Sequence, residues 1–186
     1  MPAFDQLCLP TKRLLLRPLR EADAAALFEI FSDAEVARYG SAPPWTALDQ
    51  AHAKIQRHLK AMASGEYLCL GIQRSWERDL IGTCTLFHLD PGCRRAEIGY
   101  SLHSAAWGQG YMHEALLSLL AYGFSELGLN RVEADIDPRN RPSAKCLERL
   151  GFIQEGYLRE RWIVDGEVSD TAWYGLLHSE WQARSA

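Results

Sequence analysis

The spacing of apolar residues along the chain alternates between two periods, and the alternation sets out an order of elements. "KRLLLRPL" (Lys12–Leu19) has the dense apolar run of a strand and is ended by Pro18. "EADAAALFEIFSD" then changes to helical spacing, with Leu27, Phe28 and Phe31 on one side. Two adjacent prolines in "YGSAPPW" (Tyr39–Trp45) forbid a regular helix there and mark a loop. A second helix is expected from Thr46, with Asp49 in a capping-box position and Ile55, Leu59 and Met62 on one face.

Three strands follow, "YLCLGIQR" (Tyr67–Arg74), "LIGTCTLFHL" (Leu80–Leu89) and "RRAEIGYSL" (Arg94–Leu102). The short breaks "SWERD" and "DPG" between them predict antiparallel hairpins. After "WGQG", the run "HEALLSLLAYGFSELG" reads as a helix stopped by Gly128. "NRVEADI" is a strand, "PSAKCLERLG" a short helix, and "RERWIVDGEVSDTAWYGLL" a hairpin turning at Asp165-Gly166. The order β-αα-βββ-α-β-α-ββ is an α/β mixture, and the absence of linkers or repeats makes residues 1–186 one expected domain.

Composition removes several function classes. The net charge is −4 and no Lys/Arg block is present, which argues against a nucleic-acid partner. No stretch approaches the roughly 18 apolar residues of a membrane span. The start, "MPAFDQLCLPTKR", lacks the pattern of a secretion signal, and a cytoplasmic location is expected. Five cysteines (Cys8, Cys69, Cys84, Cys93, Cys146) without CxxC spacing read as small reduced residues, and no metal site is expected.

The sharpest local feature is Gly108-Gln109-Gly110 at the mouth of the third helix. A helix N-terminus offers unpaired N–H groups and the positive end of the helix dipole, and glycine removes the Cβ that would hold a ligand's oxygens away. The turn is therefore either a phosphate seat over residues 108–113 or a tight connection. Neither nucleotide motif fits. A dinucleotide fingerprint needs a third glycine where Glu114-Ala115 stands, and a P-loop needs Gly-Lys-Ser/Thr.

"AEIGYSL", "WGQGYMHEAL", "NRPSAKCLERLGF" and "DGEVSDTAWYGLLHSEW" occur here in one order and spacing. Together with "TKRLLLRPLREADA" they make almost the whole chain resemble the GNAT superfamily of acetyl-CoA-dependent N-acetyltransferases. More narrowly they resemble its branch of ribosomal-protein alanine N-acetyltransferases, RimJ and RimL. The resemblance implies the GNAT fold: one mixed, mostly antiparallel sheet whose central strands splay apart, flanked by about four helices. It implies acetyl-CoA as cosubstrate, with the pantetheine arm in the gap near Tyr100, Ser101, Leu102 and His103. The pyrophosphate would sit on Gly108, Gln109, Gly110, Tyr111, Met112 and His113. Family habit also points to a homodimer.

This chain departs from the family pattern at two turn positions. Trp107 stands where the superfamily has Gln or Arg, which is familiar in the RimJ/RimL branch. Met112 stands where a small residue is usual, and its bulk would narrow the site.

The chemistry needs a neutral amine, a polarised thioester and a receiver for the thiolate. The family's usual thiolate-protonating tyrosine falls at Leu147, and the branch instead offers a serine three residues after the asparagine, here Ser143 after Asn140. Ser143 either meets the thiol or caps the following helix, with Asn140 shaping the turn. Glu97, which shares a strand face with Gly99 and Ser101, is either a base acting through water or a structural charge. His113 belongs either to the phosphate seat or to the helix surface, and Lys145 either to the CoA 3′-phosphate or to solvent. His88 and His103 lie at strand ends, beside the acceptor or simply exposed.

A peptide α-amine with pKa near 7.8 is neutral about once in seven at pH 7, and a lysine amine only about once in 2,500. A site without a strong base therefore favours a protein N-terminus as acceptor. Small amines such as antibiotics, polyamines or amino acids are the alternative. The missing tyrosine and Met112 also leave room for an acyl-CoA-binding module without catalysis.

Overall fold

A computed structural model describes residues 3–77 and 79–185, so Arg78 in the first hairpin break and the extreme ends lie outside the described residues. In chain order the elements are β1 (Leu9–Pro10), β2 (Leu14–Arg17), α1 (Ala24–Ser32), α2 (Ala34–Ala37), α3 (Asp49–Ala63), β3 (Leu68–Arg74), β4 (Leu80–Asp90) and β5 (Arg95–Leu102). The second half holds α4 (Tyr111–Ser125), β6 (Arg131–Ile136), α5 (Arg141–Leu150), β7 (Ile153–Val164), β8 (Glu167–Leu177) and α6 (His178–Ser185). Single 3-10 turns at Glu21–Asp23 and Ser104–Ala106 lead into α1 and towards α4.

All eight strands join one sheet in the order β1-β2-β3-β4-β5-β6-β8-β7, and the only parallel pair among them is β5–β6. The α/β expectation and the antiparallel hairpins of β3, β4 and β5 match this architecture. Register fixes the faces, because side chains alternate along a strand. Leu70, Cys84 and Tyr100 lie opposite one another on one face, as do Leu68, Leu86 and Ile98. That face carries α4, where a Cβ on Gly123 would stand 3.2 Å from Leu86, and α5 through a contact to Tyr100 described below. Cys69, Thr85, Gly99 and Glu97 belong to the opposite face, where α3 brings Lys54 near Cys69. The core therefore lies in two layers, one on each side of the sheet.

The helix expected from Thr46 begins at Asp49, and neither Asp49 nor Leu48 provides a side-chain cap. Gln50 reaches back instead, its carbonyl oxygen accepting from the amides of Thr46 (2.8 Å) and Ala47 (3.0 Å). Those bonds hold the preceding turn outside the helix. The expected count of about four helices rises to six through α2 and α6. The four-residue α2 is started by Asp33, which accepts from the Glu35 amide at 2.9 Å. It is too short to show a helical period.

An ion pair and a histidine are buried in the face that carries α1 and α3. Arg17 of β2 makes a two-pronged ion pair with Asp23 (2.7 and 2.8 Å), and Asp23 also accepts from the Arg20 amide. This pair fixes the start of α1 against the sheet edge. His58 of α3 sits 2.7 Å from the Tyr67 hydroxyl through Nδ1. Burial first, then Lys54 and Arg57, pushes its pKa down to about 3.

His58 is thus neutral when folded and ordinary, near 6.5, when unfolded. The unfolded chain binds the extra proton as pH falls below 6.5, so stability present above that pH is lost on the way to 3. Between pH 6.5 and 5 this contributes about 2 kcal/mol of lost stability. The thermal midpoint of the His58→Gln variant is expected to fall less between pH 7 and 5 than that of the wild type. His113, also shifted down, keeps some slope in both. Identical slopes would refute the assignment.

Candidate active site

The parallel pair at the centre of the sheet is short. β5 and β6 are in register only at Arg95↔Arg131, Ala96↔Val132 and Glu97↔Glu133. Beyond Glu97, β5 stays with β4 as far as Leu102, while β6 follows β8 as far as Ile136, so the two strands part like the tines of a fork.

The closed end of the fork is pinned by charge. The buried Glu133 carboxylate accepts from Arg95 Nη1 and Arg131 Nε, both at 2.8 Å, and Arg131 continues to Glu155 of β7. Burial works against the Glu133 charge, but the bonds from Arg131 and then Arg95 outweigh it and hold the carboxyl below its ordinary value.

One wall of the open end is the turn into α4. Gly108 and Gly110 have φ of +73° and +77°, a conformation that costs an L side chain about 1–2 kcal/mol. A Cβ on Gly108 would meet nothing within 4 Å, so backbone conformation, rather than crowding, demands glycine there. The space beside it is open, and the first amides of α4 lack intrahelical partners by position.

The turn is braced from behind by the residues that lead into β2. Glu114, in the first turn of α4, accepts from the Thr11 hydroxyl (2.6 Å), the Arg13 amide (2.7 Å) and Arg13 Nε (2.6 Å). Arg13 also donates to the Gln109 carbonyl at 2.9 Å and lies over the Tyr111 ring at 4.6 Å. Tyr111 is buried, and Met112 packs against the core. Gln109 donates its side-chain amide to the Ala105 carbonyl. His113 is half-buried, and burial followed by Arg149 and Arg184 pushes its pKa down, so it is neutral near pH 7 and brings no positive charge to a phosphate.

The other wall is the N-terminus of α5. Asn140 is its cap, its side chain accepting from the Ser143 amide at 3.2 Å, and Pro142 occupies the first turn, where its missing N–H costs nothing. The capping role open to Ser143 thus falls to Asn140. Ser143 keeps its hydroxyl for another partner, the Tyr100 hydroxyl at 2.7 Å, and only 9% of Ser143 is exposed. This bond joins β5 to α5 beyond the point where β5 and β6 part. Leu147 is fully buried.

The remaining candidates are spread around the fork. Glu97 stands at the last paired position on the face opposite Tyr100 and lies 2.9 Å from His88 Nδ1. Its side chain is 17% exposed, whereas His88 is 71% exposed and has φ +47°. Ser101 is half-buried and Leu102 buried. The Leu102 carbonyl accepts from the Trp107 indole (2.8 Å), and the His103 amide donates to Ile81. His103 caps the 3-10 turn by accepting from the Ala105 amide. Lys145 is exposed on α5.

Sequence reasoning missed Arg13 and Glu114, about a hundred positions apart, and Asp135. Asp135 accepts from the Trp162 indole (3.2 and 3.1 Å) and the Thr171 hydroxyl (2.8 Å). Two residues past Glu133, it shares the Glu97 face on the other tine. Only the in-register pairing of β6 with β8 and of β8 with β7 shows this grouping.

Removing Glu114 leaves Arg13 without its carboxylate and frees the glycine turn. Glu114→Ala is expected to raise the acetyl-CoA dissociation constant about tenfold, as measured by calorimetry, with kcat within about threefold of wild type. Unchanged affinity would show that the brace does not hold the turn.

Comparison with known proteins places this geometry. Residues 13–153 match the family model described as an acetyltransferase (GNAT) domain. The chain is 38% identical over 173 residues to the uncharacterized N-acetyltransferase p20 of Bacillus licheniformis, covering 93% of this chain and 97% of that one. It is 28% identical over 182 residues to the [ribosomal protein uS5]-alanine N-acetyltransferase of Escherichia coli, covering 93% and 92%. Among solved structures, Mycobacterium smegmatis RimJ in complex with CoA-disulfide superposes with a TM-score of 0.86 at 25% identity, covering 96% of this chain and 90% of that one. A forked sheet, a glycine turn at a helix mouth and a family match that spans both identify the chain as a member of the GNAT family of N-acetyltransferases.

Proposed function

We propose that this chain transfers the acetyl group of acetyl-CoA directly to an α-amine at the N-terminus of a protein, as a RimJ/RimL-like enzyme. The observation that carries the reading is the Ser143–Tyr100 hydroxyl pair, which joins β5 to α5 at the open fork, with no free strong base bonded to it among the described residues. The thioester carbonyl would lie between the tines, the glycine turn would take the pyrophosphate, and the amine would approach from the Glu97 face. Attack forms the C–N bond, the C–S bond breaks, and the electron pair leaves on sulfur. Glu97, engaged by His88, suits removal of a proton through water from an amine that is already partly neutral. An α-amine meets that condition and a lysine does not.

A second reading, a small polyamine as acceptor, draws on Asp135. Its carboxylate is held by two neutral donors, Trp162 and Thr171, and makes no ion pair among the described residues, which suits a cationic substrate on the acceptor face. No helix among the described residues is long and apolar enough to cross a membrane.

The test is thiol release from acetyl-CoA with Ala- and Ser-starting peptides, lysine peptides, polyamines and aminoglycosides as acceptors. Turnover is expected with the α-amine peptides, and Ser143→Ala is expected to lower kcat about 10- to 100-fold. With a peptide acceptor, kcat/KM should rise with pH and level off near 7.8, the pKa of the amine itself. An inflection near 6 would instead reveal a dedicated base. Turnover of polyamines alone would select the second reading. Silence across the panel, with acetyl-CoA still raising the melting temperature, would leave a binding module.

A further inference from the structure

The Tyr100 hydroxyl lies 2.7 Å from Ser143 Oγ, on the sheet face that carries α5, beyond the point where β5 and β6 part. Among the described residues, no cation is among the groups that shift the Tyr100 hydroxyl. The titratable groups that Tyr100 feels are Cys146, one turn after Ser143 on α5, and Tyr174 of β8, both neutral near pH 7. Burial pushes the Tyr100 hydroxyl well above its ordinary pKa, so it too stays protonated. An anion that forms in such a corner is disfavoured by desolvation unless hydrogen bonds reach it.

We propose that Tyr100 is a positioning residue for the leaving thiolate: it donates to Ser143 Oγ and so turns the Ser143 proton towards the departing sulfur. This rests on the acetyl-CoA reading above. A phenol is a stronger donor than an aliphatic alcohol, so the bond runs from Tyr100 to Ser143. Serine has one proton, and with its oxygen accepting from Tyr100 that proton is left for a third partner. The Ser143 amide is already held by Asn140, which fixes the residue at the third position of α5. A donor whose own oxygen is accepting is strengthened by that bond.

The step balances without proton transfer from either hydroxyl. The amine nitrogen bonds to the carbonyl carbon and the C–S pair stays on sulfur. The surplus amine proton leaves through water on the Glu97 side, and the thiolate takes its proton from solvent on release. A free thiol of pKa near 8.5 would gain little by taking a proton from a far weaker acid, so the pair acts by hydrogen bonding. Tyr100 thereby helps to stabilise the thiolate by hydrogen bonding, without giving up its own proton. Leu147 itself is buried in the core.

The first measurement is the pKa of the CoA thiol bound to the protein, followed by the ultraviolet absorbance of the thiolate, and it needs no acceptor. In the wild-type complex it should lie about one unit, tenfold in the thiolate equilibrium, below its value in Ser143→Ala. Tyr100→Phe should recover most of that difference, and the double variant should match Ser143→Ala. Kinetically, Tyr100→Phe should lower kcat about tenfold with acetyl-CoA KM within threefold, and should be silent in the Ser143→Ala background. A purely structural tyrosine would lower the melting temperature and CoA affinity and would add its cost in both backgrounds. Bound CoA with the same thiol pKa in wild type and Tyr100→Phe, or additive kinetic losses, would overturn the proposal. Failure of CoA to bind the wild type at all would instead sink the acetyl-CoA reading, and this inference with it.

Discussion

The rest of the molecule depends on how briefly β5 and β6 pair. Three in-register positions join them, and the buried Glu133 holds that junction through Arg95 and Arg131. A longer pairing would close the sheet and leave no fork. No junction at all would leave two sheets free to drift. A carboxylate shared by an arginine from each strand locks the register at one end, while the same strands are committed to β4 and β8 at the other. A desolvated carboxylate is costly by itself, and two charge-assisted bonds make it a stable rivet.

Around that junction, functional groups come from elements that pack independently. The glycine turn leads into α4 but is held by the segment before β2, and the Ser143 hydroxyl belongs to α5 but meets β5. Each wall of the fork is thus tied to the opposite part of the chain. The segment Tyr39–Trp45 runs between α2 and α3, where Phe31 stacks on Trp45 at 4.7 Å.

Much of this was legible in the sequence where the signal is local. The three-strand meander, the two long helices and the Asp165-Gly166 hairpin turn all follow from period and turn chemistry. The Gly-x-Gly turn announced its own position, and the motif around Asn140 marked the start of α5. The start of α3 was misread because Gln50 does from inside the helix what Asp49 was expected to do. The brace at Glu114 and the node at Asp135 were not legible. Their partners lie in other strands, and composition carries no trace of register. Which of Asn140 and Ser143 caps α5 was likewise open until the direction of each side chain was known.

The bonds from Thr11 and Arg13 to Glu114 have a further consequence, for the order in which the protein assembles. They join positions 101 and 103 residues apart, so the glycine turn can be held in its final shape only after a loop of that length has closed. Contacts at such separation form late, because the closure entropy must be met before any bond rewards it. The first strand is made early on the ribosome, yet its partner helix emerges more than half a chain later. The nascent chain can therefore pair β2, β3, β4 and β5 before the glycine turn is held, and the turn takes its final shape only after more than half of the chain has emerged.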